Sequence, residues 1–209
     1  MKNIIVAFSL LLSSQMSFAQ YDPEAREVLD DLSKKYKSYE AFSADFTQQF
    51  TNESAGINES IAGEIIVKDE QYLLNVAGQK IYNNGEEIWR YDADMGEVVI
   101  TDNDPEEQEI SMNNIFDLYK NGFKYILMGS NQLGDRMIEL DPESKDKGYY
   151  KIKMVIDKYD MLKSFSVLER SGNVYKYIIE DFKSMKDVPA STFVFNTADY
   201  PNVEVVDFR

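Results

Sequence analysis

Carboxylates are the most abundant residues here that could do chemistry: 37 Asp and Glu stand against 22 Lys and Arg, with no His and no Cys. The two absences remove Ser-His-Asp and Cys-His nucleophilic sites. They also remove the usual zinc ligand sets and make copper or iron centres improbable. The side chain whose ordinary pKa suits proton transfer near neutrality is missing too. No Walker loop or GxGxxG phosphate fingerprint occurs. A glycosidase needs only two acids at a defined separation, but 37 acids supply such a pair by chance, so their abundance does not argue for an enzyme. Asp92-Ala93-Asp94-Met95-Gly96 is similar to the start of a calcium loop, yet position twelve is Asn103 where a bidentate Glu is required. That stretch reads as a solvated turn. The run Asp102, Asp104, Glu106, Glu107 and Glu109, broken by Pro105, reads as an exposed loop, with a cation or basic partner as the alternative. No metal site and no cofactor is expected.

The apolar residues carry more information, and their spacing defines the elements. Asp22 and Pro23 are a helix start. Ala25, Val28, Leu29, Leu32 and Tyr36 form one helical stripe, and Lys34, Lys35 and Lys37 suit the last turn. The period then becomes two. Phe42, Ala44, Phe46 and Phe50 alternate with polar residues, the mark of a half-buried strand. Ile57, Ile61, Ile65 and Val67 continue the alternation, followed by Tyr72, Leu74 and Val76. Short strands are predicted at 80–83, 86–91 and 97–101, with a hairpin at Asn84-Gly85. Met112, Ile115, Phe116 and Tyr119 return to helical spacing, ended by Asn121-Gly122. Residues 123–128 are apolar and of ambiguous type. Strands are predicted again at 137–140, 149–156, 162–170, 173–182, 193–195 and 203–206, with Ser171-Gly172 as a further hairpin turn.

About ten or eleven strands in an antiparallel meander, with few helices and no repeat or linker, predict one mainly β (α+β) domain. A large curled sheet that partly closes must fill its interior with side chains or hold a ligand. Phe42, Phe46, Ile65, Tyr72, Leu74, Trp89 and Tyr91 are the candidate lining. Ile115, Phe116 and Tyr119 are the candidate cover. Plain core packing competes at each position, and the pattern leaves open which strand face is inside.

Lys2, the apolar run 4–12 and Ser17-Phe18-Ala19 have the form of a cleaved secretory signal peptide, residues 1–19, leaving a single domain at 20–209. The run is too short to span a bilayer, and no Cys follows it for lipidation. A net charge of −15 disfavours nucleic acid and unspecific adhesion to anionic surfaces. A monomer satisfies everything read so far.

Several stretches, taken in order, resemble the outer-membrane lipoprotein carrier family. Ala41-Phe42-Ser43-Ala44-Asp45-Phe46-Thr47-Gln48-Gln49-Phe50 resembles its entry strand, and Ala62-Gly63-Glu64-Ile65-Ile66-Val67-Lys68 its second strand. Asn84-Gly85 with Ile88-Trp89-Arg90-Tyr91-Asp92 resembles its hairpin, and Phe193-Val194-Phe195 with 203–207 its C-terminal end. The resemblance implies an incomplete, strongly curled antiparallel β-barrel with a helical lid over an apolar cavity. It implies a soluble periplasmic carrier that takes acyl chains of lipid-modified proteins from an inner-membrane ABC-type release complex. The cargo then passes to an outer-membrane acceptor. One departure stands out: the family often has Lys-Arg-Pro at the end of the second strand, its Arg linked to the lid, and this chain has Lys68-Asp69-Glu70. Lys68, Asp69 and Arg90 are the candidates for that polar gating role. The alternative is a periplasmic binding or sensor module of the same fold for another lipid or amphipathic ligand. A structural or protein-interaction domain filled by its own side chains is a third reading.

Overall fold

The computed structural model describes residues 21–104, 110 and 112–209; the expected signal peptide lies outside them, as does most of the acidic run at 105–109. The N-terminal helix forms as predicted. The Asp22 carboxylate accepts the N–H groups of Glu24 and Ala25, Pro23 opens α1 (Pro23–Lys37), and the stripe from Ala25 to Tyr36 is buried. The period-two segments form β1 (Ala41–Asn52), β2 (Ile57–Lys68), β3 (Gln71–Val76), β4 (Gln79–Asn83), β5 (Glu87–Asp92) and β6 (Glu97–Asp102). After a crossing segment come β7 (Phe123–Ser130), β8 (Arg136–Pro142), β9 (Tyr149–Ile156), β10 (Leu162–Glu169) and β11 (Val174–Met185); β12 (Glu204–Asp207) ends the set. The ambiguous run at 123–128 is therefore a strand.

All twelve join one sheet in the order β12-β6-β5-β4-β3-β2-β1-β11-β10-β9-β8-β7. The ladders are antiparallel except β12, which lies parallel to β6. The ends of the order do not pair with each other, so the sheet does not close. Its seam is β1 on β11, registered Phe46↔Ile179 and Phe50↔Tyr175, with a bulge between Ser43 and Asp45. β6 and β7 follow one another in sequence yet stand at opposite sides of this order. Residues 103–122 must therefore cross from one side of the sheet to the other.

Three expectations need correction. Among the described residues there are twelve strands rather than ten or eleven. The predicted helix at Met112–Tyr119 is instead a series of turns at 112–117 leading to a 3₁₀ turn, Leu118–Lys120. Asn113, Asn114 and Asp117 are weak helix formers, and so short a segment has too few hydrogen bonds to offset nucleation. Its apolar residues still face one way. The predicted strand at 193–195 is a 3₁₀ turn, Ala190–Phe193, running into extended chain. Phe193 and Phe195 are both buried, but on top of the sheet rather than within it.

The register defines two faces. One carries Phe42, Ala44 and Phe46 of β1, Ile65 and Val67 of β2, Tyr72 and Leu74 of β3, Phe165 and Val167 of β10, Ile152 and Met154 of β9, and Ile138 and Leu140 of β8. These pack with the α1 stripe and with Met112, Ile115 and Phe116 into the main core. The other face, along β2 to β6, is covered by the C-terminal segment. Val188 and Phe193 cover Ala41, Ile66 and Leu73; Phe195, Tyr200 and Val203 cover Tyr82, Trp89, Tyr91, Val98 and Ile100. Among the described residues no helix is long and apolar enough to cross a membrane.

Candidate functional site

The crossing segment is held over the main core by apolar and by polar contacts. On the apolar side, Phe116 stacks on Tyr36, their ring centroids 3.7 Å apart at 19°. Phe42 meets both edge-on, at 5.8 Å from Phe116 and 5.5 Å from Tyr36, and stacks on Phe182 at 5.3 Å. Edge-to-face and offset ring pairs add attraction beyond their buried area. Tyr36 accepts the Leu162 N–H on its hydroxyl at 3.3 Å, and burial pushes that hydroxyl's pKa well above the usual tyrosine value. Ile115 and Tyr119 are buried with the same core.

On the polar side, one carboxylate gathers three donors. Asp117 accepts the Ser33 hydroxyl at 2.6 Å, pairs with Lys37 at 2.7 Å and is bonded by Lys120. Lys120 also donates to Ser33 at 2.8 Å. Tyr119 donates its hydroxyl to Asp30. Burial alone would raise the Asp117 pKa, but the hydrogen bonds from Lys120, Lys37 and Ser33 outweigh it and hold it at about 2. Every one of these bonds joins the crossing segment to α1 or to itself, so Asp117 is a latch. The prediction missed it, although Ser33 carried a readable signal: it is a polar residue on the apolar stripe of α1 and is buried.

Clefts flank the segment. One of about 480 Å³ is walled by Tyr36, Tyr39, Phe42, Val67, Asn113 and Phe116, with Asp69, Glu70 and Asp117 at its polar edge. A second, of about 890 Å³, shares Asp69, Glu70, Asn113 and Asp117 and extends to Ile110, Phe123 and Tyr149. The sheet floor beyond them is apolar. Ile65 is buried, Tyr72 and Leu74 are half-buried, and the Phe46 ring lies across Gly63. A methyl group at Gly63 would stand 2.5 Å from Phe46 Cζ.

Of the seven residues expected to line a cavity, Phe42, Phe46, Ile65, Tyr72 and Leu74 share this face. Trp89 and Tyr91 do not. Register Trp89↔Tyr82 and Tyr82↔Leu73 puts Trp89 on the opposite face, in the cluster under the C-terminal segment. The one-residue offset of β5 decides this: Ile88 and Arg90, not Trp89 and Tyr91, continue the face of Tyr72 and Leu74.

The gating candidates also separate. Lys68 points to the C-terminal segment, donating to the Val188 carbonyl at 2.9 Å and pairing with Glu40 at 3.7 Å. Arg90 is exposed and donates to Thr101 Oγ1 at 3.2 Å. Only Asp69, in the tight turn between β2 and β3 with φ 53°, borders the clefts beside the segment. Asp92 accepts the Asp94 and Met95 N–H groups in a plain turn. Among the described residues no three His, Cys, Asp or Glu side chains converge as a metal site would require.

The family model of the outer membrane lipoprotein carrier protein LolA matches residues 37–196, which takes in every element from β1 through β11. The chain belongs to that family. A protein of Francisella tularensis subsp. novicida (strain U112), named an outer-membrane lipoprotein carrier protein, is 25% identical over 220 aligned positions covering 99% of this chain and 98% of its own. One of the same name from Haemophilus ducreyi is 25% identical over 216 positions, covering 96% and 93%. Among solved structures, an uncharacterised conserved protein from Thermus thermophilus superposes with a TM-score of 0.60 at 16% identity, covering 88% of this chain and 99% of that one. That likeness concerns the fold. Among the described residues, Ile115 and Phe116 of the crossing segment and the apolar face beneath them stand beside the two clefts.

Proposed function

We propose that this protein is a soluble, non-enzymatic periplasmic carrier that holds the acyl chains of lipid-modified proteins against the face made by Phe42, Phe46, Ile65, Tyr72 and Leu74. Release from an inner-membrane complex and delivery to an acceptor at the outer membrane complete the reading. The observation that carries it is the family match over a chain whose crossing segment covers a continuous apolar face. In the described state α1 and the segment fill much of that face themselves. Acyl chains enter by replacing the contacts of Ile115 and Phe116, so protein and ligand compete for the same surface. Burying one methylene stabilises by about 0.8 kcal/mol. A whole chain buried without competition would be held too tightly to pass on, and displacing the segment offsets part of that gain.

The test is to incubate the mature chain with membranes holding a triacylated lipoprotein and to look for a soluble complex. Leu74→Glu, at a half-buried position, should abolish it, while Trp89→Phe, on the opposite face, should leave it intact. Solubilisation of free lipid without lipoprotein would favour a sensor or carrier of another amphipathic ligand. No bound species at all would sink the reading.

A further inference from the structure

Two hairpin tips stand side by side at one end of the sheet. The β7–β8 turn (131–135) reaches the β9–β10 turn (157–161), where a Cβ on Gly134 would lie 3.5 Å from Lys158 Cβ. The last turn of α1 joins them: Lys35 Nζ donates to the Tyr159 carbonyl at 2.6 Å. At the tips Leu133 is 72% and Tyr159 64% exposed. Lys158 Nζ lies 5.1 Å from the Tyr159 ring centroid. Two of the three carboxylates of these turns are paired with cations of their own. Asp160 pairs with Arg136 at 2.7 Å and Asp135 with Lys163 at 2.9 Å, while Asp157 accepts the Tyr159 and Met161 N–H groups and keeps its charge, which the cations of α1 and Lys158 outnumber. Among the described residues Lys34, Lys35 and Lys158 have no carboxylate partner, and Asp31, one turn back on α1, is the nearest exposed acid along that helix.

We propose that this end of the molecule docks on an anionic phospholipid bilayer, with Leu133 and Tyr159 entering the interface and Lys34, Lys35 and Lys158 facing the headgroups. A large apolar side chain beside an aromatic ring with a polar tip, ringed by cations, is the composition that settles at a membrane interface. The net charge of −15 does not prevent it, because charges farther than about 8 Å are screened at physiological ionic strength. The opposite edge makes the contrast. Met95, Val205 and Phe208 are exposed there too, but among Asp94, Glu97 and Glu204, which an anionic surface repels, while Arg209 beside them is already paired with Asp207 and Glu87. The position has a use: Tyr39 walls the smaller cleft and its hydroxyl meets Met161 Sδ, in the docking turn, at 3.9 Å. Docked this way, the chain holds that cleft next to the bilayer.

The experiment is flotation of the mature chain with cargo-free vesicles of phosphatidylglycerol and phosphatidylethanolamine in equal parts, against vesicles of phosphatidylcholine alone. Because no lipoprotein is present, its result is independent of the carrier reading. The chain should float with the anionic vesicles only, and less as salt is raised. Neutralising a surface lysine should weaken binding about fivefold, so Lys34→Gln, Lys35→Gln and Lys158→Gln together should weaken it about a hundredfold. Leu133→Ser with Tyr159→Ser should also release it, and a Leu133→Trp variant should show blue-shifted emission on anionic vesicles. No flotation, equal flotation on both lipids, or flotation indifferent to these substitutions would overturn the proposal. So would release from vesicles accompanied by tight binding to an acidic protein through the same lysines.

Discussion

Asp117 and Gly63 show how much single positions decide in this molecule. The folded-state pKa of Asp117 is lowered to about 2, from an ordinary value of 3.8. A depressed carboxylate contributes stability that is fully present above its unfolded pKa and is lost as pH falls through the folded one. The latch should therefore be indifferent to pH between about 5 and 9 and fail between about 4 and 2. Asp117→Asn should flatten the dependence of the urea midpoint on pH across that window relative to the parent chain. It should also speed amide exchange at 112–120 near neutrality, and unchanged exchange there would mean that Phe116 and Ile115 hold the segment unaided. Gly63 acts through space alone, since its backbone is not left-handed. Gly63→Ala must push aside the Phe46 ring and should lower stability by about 1–3 kcal/mol in urea unfolding. The need for glycine there is invisible in the sequence, because it comes from a ring on the neighbouring strand. Ser33 is visible as a polar interruption of an apolar stripe, but its partner, 84 residues away, is not.

At the scale of elements, α1 and the alternation of β1, β2 and β3 were legible because capping and a period of three and six-tenths or two are local properties. The crossing segment was legible as apolar at helical spacing but not as turns. The same i, i+3, i+4 residues can be held to one side by tertiary packing without helical hydrogen bonds. The face of β5 was illegible for a related reason. Trp89 and Tyr91 alternate as an inward pair would, and only the pairing partners reveal that their side is covered by the C-terminal segment. That segment gives a clean measurement, because Trp89 is the only tryptophan. Phe195→Ala with Tyr200→Ala removes rings stacked 4.6 Å apart over the Trp89 cluster. Trp89 emission should shift to the red and stability should fall by several kcal/mol, about 3–5 for the buried Phe alone. Lipoprotein binding by the folded fraction should be unchanged. Loss of binding in protein that remains folded would place the ligand on the wrong side of the sheet in our reading.

For the molecule as a whole, the mainly β class and the unclosed antiparallel sheet were legible from strand spacing and family resemblance. The strand order was not: no local feature announces that β1 pairs with β11 or that β12 runs parallel to β6. That order is also what leaves two edges. The β7 edge is met by residues just before α1, where the Asp22 N–H reaches the Tyr125 carbonyl at 3.3 Å and the Asp22 carboxylate accepts the Leu127 N–H at 2.9 Å. Occupied backbone groups at an edge discourage pairing with another chain.

Residues 103–122, which pass from β6 to β7, have a mechanical meaning. On the carrier reading proposed above, a sheet that admits something bulky must let its two sides spread, and here the β7 margin is tied by a covalent cord to β6, the strand next to the other margin. Fully extended, that cord would reach roughly 70 Å, and the turns at 112–117 take up part of that length while Phe116 and Asp117 are anchored. If guests enter as proposed, the turns at 112–117 are the length that can be let out as β6 and β7 move apart, and the covalent length of the cord is the limit of that movement, much as a drawstring limits the mouth of a bag.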